Sequence, residues 1–189
     1  MSQNISLEEI KKFWPEDAPD INNVQKYISK YKNEKIVIKY GGNVLIDRVV
    51  FNNFILDVNI LNKLGFSVII VHGGGPRIKR ELDKKKIVSK FIDGLRVTDK
   101  NIINVVEEVL INFNSDIVQN LKKLGSNAVS FHTKDNNIIE VKPEREELGF
   151  VGIPNKINFE LIENAINQNQ IPIVAPLGIG TNQQTYNIN

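Results

Sequence analysis

The sequence predicts an α/β fold: a mostly parallel central sheet with helices on both faces, a three-layer sandwich, behind an N-terminal helical arm. Three observations carry this expectation. Short apolar runs rich in valine and isoleucine recur at residues 35–40, 68–71 and 171–175, and the second reads as a strand buried on both faces. Segments with apolar residues at helical spacing separate these runs, and alternating strands and helices imply parallel pairing through crossovers. Two strands run directly into glycine, at Gly41-Gly42 and at Gly73-Gly74-Gly75. On such sheets ligands bind beyond the carboxyl ends of the strands, which is where these glycines fall.

Taken in order, the arm comes first. Ser6-Leu7-Glu8-Glu9 reads as a capping box, with Ile5 and Ile10 placed for a hydrophobic staple across it. That helix should reach about Trp14 and stop at Pro15. Ile21, Val24, Tyr27, Ile28 and Tyr31 then fall at helical spacing. Residues 1–34 are therefore an amphipathic arm that either packs back on the domain or reaches another subunit, and a homo-oligomer held by helix-on-helix contact is expected. Residues 35–189 form the domain itself.

The first domain strand, Lys35–Tyr40, is followed by a helix over residues 47–64 with Gly65 as its cap. After the strand at residues 68–71, Pro76 suits the first turn of a helix over residues 76–86. Residues 91–97 read as a hairpin turning at Asp93-Gly94. Thr98 or Asp99 can cap a long helix whose apolar set runs from Ile102 to Leu124, ended by Gly125. Residues 128–131, 138–141 and 150–151 are strand candidates, and Asn158 can cap a helix holding Leu161, Ile162 and Ile166. Residues 171–175 form another buried strand, broken by Pro176 and a turn at residues 178–180, and residues 185–189 read as a last strand.

Composition bounds the function. A chain of 189 residues can make one full domain. A formal charge of +2 is too small to point to nucleic acid or membrane, and Lys84-Lys85-Lys86 sits beside Glu81 and Asp83 as a solvated helix end would. Without cysteine there is no disulfide framework, thiol chemistry or Cys-ligated metal, and two histidines exclude a histidine-rich metal site. No apolar run approaches membrane-spanning length and no signal pattern opens the chain, so a cytoplasmic protein is expected.

Three groups of residues could carry chemistry. A strand, a glycine turn and a helix N-terminus together offer outward N–H groups and partial positive charge to an anion, although glycine also serves a purely steric corner. Lys39 stands at the mouth of its strand just before Gly41-Gly42; its ammonium could offset charge developing in phosphoryl transfer while the glycine N–H groups hold the oxygens, or it could simply reach solvent. Arg96, near the end of the hairpin, could hold a carboxylate in a bidentate fork or make a surface ion pair. Asn187 and Asn189 alternate with Ile188, so both face the same way and could orient an acylamino or carboxylate group, or form an exposed strand face. His72, at a strand end, reads as a hydrogen-bonded structural residue. Neither a Walker-type loop nor a dinucleotide fingerprint occurs.

These motifs resemble those of the N-acetylglutamate kinases, within the amino-acid kinase superfamily. The resemblance rests on residues 36–43, residues 68–76, Gly94-Leu95-Arg96-Val97-Thr98-Asp99, residues 148–152, and residues 175–180 running into Gln184-Thr185-Tyr186-Asn187-Ile188-Asn189. The first two motifs are shared across the superfamily, whereas the third and the last are specific to the acetylglutamate branch. The helical arm resembles the N-terminal helix through which arginine-regulated members form ring-like hexamers.

The resemblance implies ATP-dependent phosphorylation of the side-chain carboxylate of N-acetyl-L-glutamate to an acyl phosphate, in arginine biosynthesis, with Mg2+ accompanying the ATP. It implies that Lys39 stabilises the transferring phosphoryl group, that Gly41, Gly42 and Gly73 bind it, and that Gly74 and Gly75 face the substrate's reacting carboxylate. Arg96 and Asn187 would hold the α-carboxylate and amide end. Transfer is in line, by positioning and electrostatics. Ser130-Phe131-His132-Thr133 and Ile153-Pro154 depart from the family's pattern near the expected acyl pocket. In the family the segment matching Asn189 continues into a nucleotide-binding half, so this chain is expected to be the acylamino-acid-binding half, incomplete and without bound nucleotide when alone. Another kinase of the superfamily, or a non-catalytic binding or assembly module, are the alternatives.

Overall fold

The computed structural model describes residues 6–31, 34–42 and 47–189. Ile5 of the expected staple and Asn43 of the first glycine motif lie outside the described residues. In chain order the arm holds α1 (Leu7–Lys11) and, after a 3₁₀ turn at Ile21–Asn23, α2 (Val24–Tyr31). Next come β1 (Lys35–Tyr40), α3 (Arg48–Lys63), β2 (Ser67–His72) and α4 (Gly75–Lys84). The hairpin β3 (Phe91–Ile92) and β4 (Leu95–Arg96) leads into α5 (Lys100–Lys123). Then follow β5 (Ala128–Phe131), β6 (Ile139–Pro143), β7 (Gly152–Ile157), α6 (Phe159–Asn167), β8 (Ile171–Val174), β9 (Leu177–Gly180) and β10 (Thr185–Asn187).

The central sheet has the order β1-β2-β8-β5 and every pairing in it is parallel. Strand periodicity sends alternate side chains to opposite faces, and the two faces are covered by different helices. Val68, Ile70, Ile171 and Ile173 face α3 and α5, packing with Phe51, Ile55, Phe113 and Ile117. Ile69 and Val174 face the other way, toward Ala165 of α6 with Leu161 and Ile162 beside it. This is the expected three-layer arrangement.

The helices begin where their caps require. Ser6 closes its capping box with Glu9, Asp47 accepts from the N–H groups of Val49 and Val50, and Asp99 rather than Thr98 accepts from Asn101 and Ile102. α1 stops at Lys11, earlier than its sequence suggests. The arm packs back on its own domain: Ile10 and Val24 are buried with α3, and Ile21 and Ile28 lie against the same cluster. Only Tyr27 and Tyr31 of the expected pairing stripe are left exposed.

A second sheet was not foreseen. It has the order β10-β9-β6-β7, parallel between β9 and β6 and antiparallel elsewhere. The expected turn at residues 178–180 is the strand β9. A Cβ on Gly178 would overlap Val141 Cγ1, so glycine here permits close strand packing rather than a bend. The strand expected at residues 150–151 lies two residues further on, as β7, whose Pro154 is tolerated because β7 is an edge.

Candidate functional site

One cleft of about 930 Å³ gathers every residue singled out from the sequence: Lys39, Gly41, Gly42, Gly73, Gly74, Gly75, Arg96 and Asn187 all line it. It opens at the carboxyl ends of β1 and β2 and runs along the sheet face that carries Val37, Ile69 and Val71. α6 covers that face over β8 but leaves β1 open, so Val37 is 63% exposed. At the rim, Lys35 of β1 pairs with Glu163 of α6.

The two glycine turns touch. The Gly73 N–H donates to the Tyr40 carbonyl at 2.7 Å, which locks the turn after β2 to the end of β1. Gly73 was expected to offer that N–H to a phosphoryl group; here it is taken. The N–H groups of Gly74 and Gly75, at the N-terminus of α4, have no partner among the described residues and point the helix's positive end at the cleft. A Cβ on Gly74 would overlap Leu110 of α5, so the turn is seated directly on that helix. Lys39 folds back toward the turns, its Cε 4.0 Å from where a Gly41 Cβ would stand, and has no ion-pair or hydrogen-bond partner among the described residues.

Arg96 enters from the hairpin. The tight turn has positive φ at both Asp93 and Gly94, 50° and 80°, which sets the register Phe91↔Arg96 and lays the guanidinium 4.7 Å from the centre of the Phe91 ring. Arg96 donates to the Ser89 hydroxyl. It is 8% exposed and makes no ion pair among the described residues. Burial pulls its pKa below the ordinary value, opposed by the charge of Asp83. A desolvated guanidinium with donors to spare fits a planar anion such as a carboxylate.

Asn187, on β10, is buried beside the same cleft, and its Nδ2 lies 3.5 Å from Asn189 Oδ1, as the alternation predicts. His72 is structural, also as expected. Its Nε2 accepts from Asn114 Nδ2 at 3.1 Å, which leaves the proton on Nδ1, 3.0 Å from the Gly73 carbonyl. Burial pushes its pKa down to about 4, so the ring is neutral. Of the departures from the family pattern, Pro154 lines the cleft while Ser130 to Thr133 do not. Sequence reasoning missed Ser89, Phe91 and Leu110. The first two follow from the hairpin register, but nothing along the chain links Leu110 to Gly74.

An α/β protein with a basic, glycine-walled cleft at the carboxyl ends of parallel strands is the class this geometry defines. Residues 34–189 match the profile of the amino acid kinase family, and the chain belongs to that family. It is 50% identical over 182 residues to the acetylglutamate kinase of Pelagibacter ubique (strain HTCC1062), which covers 96% of this chain and 63% of the relative. The acetylglutamate kinase of Campylobacter fetus subsp. fetus (strain 82-40) is 42% identical over 165 residues, covering 86% of this chain and 59% of the relative. The chain thus spans about three-fifths of the length of the curated relatives it matches. Among solved structures, smu.665 from Streptococcus mutans UA159 superposes with a TM-score of 0.72 at 27% identity, over 82% of this chain and 63% of that one. An N-acetylglutamate synthase from Neisseria gonorrhoeae, complexed with coenzyme A and N-acetyl-glutamate, shares the fold with a TM-score of 0.77 at 19% identity, over 89% of this chain and 39% of that one.

Proposed function

We propose that this chain is the N-acetyl-L-glutamate-binding portion of an acetylglutamate kinase, the enzyme that phosphorylates the substrate's side-chain carboxylate at the expense of ATP. The observation that carries the reading is Arg96: a buried cation with no carboxylate partner among the described residues, in one cleft with Lys39, the glycine turns and Asn187. The relatives' name supplies the reaction.

In this reading the Arg96 fork takes the α-carboxylate and Asn187 takes the acylamino group. The Gly74 and Gly75 N–H groups face the reacting carboxylate, and the helix dipole behind them stabilises charge on it. Lys39, with Gly41 and Gly42, stands where the phosphoryl group would cross, and its ammonium offsets the charge shared between donor and acceptor oxygens. ATP with Mg2+ brings the phosphoryl group. In this reading Mg2+ accompanies the nucleotide's phosphates. We further propose assembly into a homo-oligomer through the arm, using Tyr27 and Tyr31.

Calorimetry with N-acetyl-L-glutamate tests the site. A bidentate, charge-assisted contact contributes roughly 1.5–3 kcal/mol, so Arg96→Ala should weaken binding about tenfold or more. Arg96→Lys should recover little, because an ammonium keeps the charge but loses the planar fork. Equal affinity in Arg96→Ala and the parent chain would remove Arg96 from the site and the substrate assignment with it.

A further inference from the structure

Outside the motifs, one carboxylate ties three segments together beside the cleft. Glu107 sits on α5, one turn before Leu110, and its side chain is 14% exposed. Its Oε1 accepts from Thr185 Oγ1 at 2.8 Å and from Thr133 Oγ1 at 2.6 Å, while Oε2 faces Lys134 Nζ at 3.5 Å. Thr185 opens β10, and Asn187 is two residues on, so both side chains leave the same face of that strand.

β10 is a short strand, fixed by the burial of Tyr186 and by the Ile188 N–H bond to the Pro176 carbonyl, 2.9 Å. Among the described residues, no side-chain bond other than that of Thr185 to Glu107 ties it to α5. The strand is three residues long and its ladder is with β9 alone, supplemented by a bridge between Val151 and Asn187. The Asn187 amide has one weak side-chain contact, at 3.5 Å, too long to orient it firmly. Its placement therefore follows from where the backbone is held: by the ladder to β9, by the Asn187 N–H bond to the Phe150 carbonyl and the Ile188 N–H bond to the Pro176 carbonyl, both 2.9 Å, and, from α5, by Thr185 on Glu107. α5 also backs the glycine turn, through Leu110 against Gly74. The two sides of the cleft are thus both referenced to one helix.

We propose that Glu107 is a positioning residue, acting through Thr185 to set Asn187 at the distance from the Gly74-Gly75 turn that an acylamino acid spans. The inference rests on reading the cleft as an N-acetyl-L-glutamate site. Glu107→Gln keeps an oxygen that accepts from both hydroxyls, so it should preserve the geometry. Glu107→Ala removes the anchor, and Thr185→Val removes only the hydroxyl, with little change of shape.

The test pairs a ligand-free readout with binding. The Asn187 side-chain amide signal in a ¹⁵N–¹H spectrum is identified by its loss in Asn187→Ala. It should move in Glu107→Ala and in Thr185→Val and return close to its parental position in Glu107→Gln. Affinity for N-acetyl-L-glutamate should fall roughly tenfold in Thr185→Val and should show no further fall when Thr185→Val is added to Asn187→Ala, the sign of coupled residues. An Asn187 signal unmoved in both Glu107→Ala and Thr185→Val overturns the proposal, as does an affinity loss that persists in the Asn187→Ala background. If the signal moves as expected but the parent chain binds no N-acetyl-L-glutamate, the positioning stands and the substrate reading falls.

Discussion

His72 is held neutral at the end of β2 by its surroundings: 2% exposed, edge-on to Phe113, and bonded at both ring nitrogens. Burial is the main reason its pKa drops from 6.5 to about 4. The unfolded chain takes up a proton here near pH 6.5, whereas the folded chain refuses it until about pH 4. Stability from this group is therefore complete above pH 6.5 and is lost as pH falls through that window, by about 3 kcal/mol in all. His132 is lowered too, chiefly by burial, and adds loss of the same sign. Urea melts at pH 7 and pH 4.5 should show the decline, and His72→Gln should flatten much of it. A His72→Gln chain as pH-dependent as the parent would place the titration elsewhere. A proton taken up at Nε2 would displace the Asn114 amide while the Nδ1–H bond to the Gly73 carbonyl persists, so acid should disturb the contact with α5 before the glycine turn.

At the scale of elements, chain-local signals were legible and cross-chain ones were not. The caps at Ser6 and Asp99 and the hairpin at Asp93-Gly94 announce themselves because the partner lies within three residues. β9 was hidden because Gly178 reads as a turn; the space it leaves for Val141 is a fact about another strand. The meeting of Lys39 with the two glycine turns follows from the rule that parallel strands present their carboxyl ends together, whereas Arg96 on the hairpin and Asn187 on the second sheet reach the cleft by routes that rule does not give. Glu107 was invisible, since its partners Thr133 and Thr185 lie 26 and 78 residues away and an acidic helix residue reads as solvated.

The arm shows the same limit, because periodicity gives an apolar stripe without saying what it faces. Val24, 7% exposed, packs inward, whereas Tyr27, 56% exposed, faces out. Val24→Ala should destabilise the fold by roughly 1–3 kcal/mol without dissociating the proposed oligomer. A Tyr27→Ala/Tyr31→Ala pair should lower the mass in light scattering and leave unfolding of the domain nearly unchanged. An unaltered mass in that pair rules out assembly through the arm.

For the molecule as a whole, the cleft is the place where separately built parts meet. Lys39 and the glycine turns belong to the parallel sheet, Arg96 to the hairpin, and Asn187 to the second sheet. A ligand held by all three ties them together only in the folded state, so binding must raise the stability of the entire chain by mass action. At a hundredfold excess over its dissociation constant, N-acetyl-L-glutamate should add about 2.7 kcal/mol. For a domain of this size that is a rise of roughly 5–10 °C in melting temperature. The variants separate the roles of the cations. Arg96→Ala should lose most of the rise at the same ligand concentration. Lys39→Ala should keep it, because the proposed partner of Lys39 is the phosphoryl group rather than the bound amino acid. Free L-glutamate, which lacks the acyl group proposed to meet Asn187 and brings an ammonium toward Arg96 and Lys39, should produce a smaller rise. A melting temperature indifferent to N-acetyl-L-glutamate at millimolar concentration, or a rise undiminished by Arg96→Ala, would separate the cleft from this substrate and return its glycine turns to a structural role.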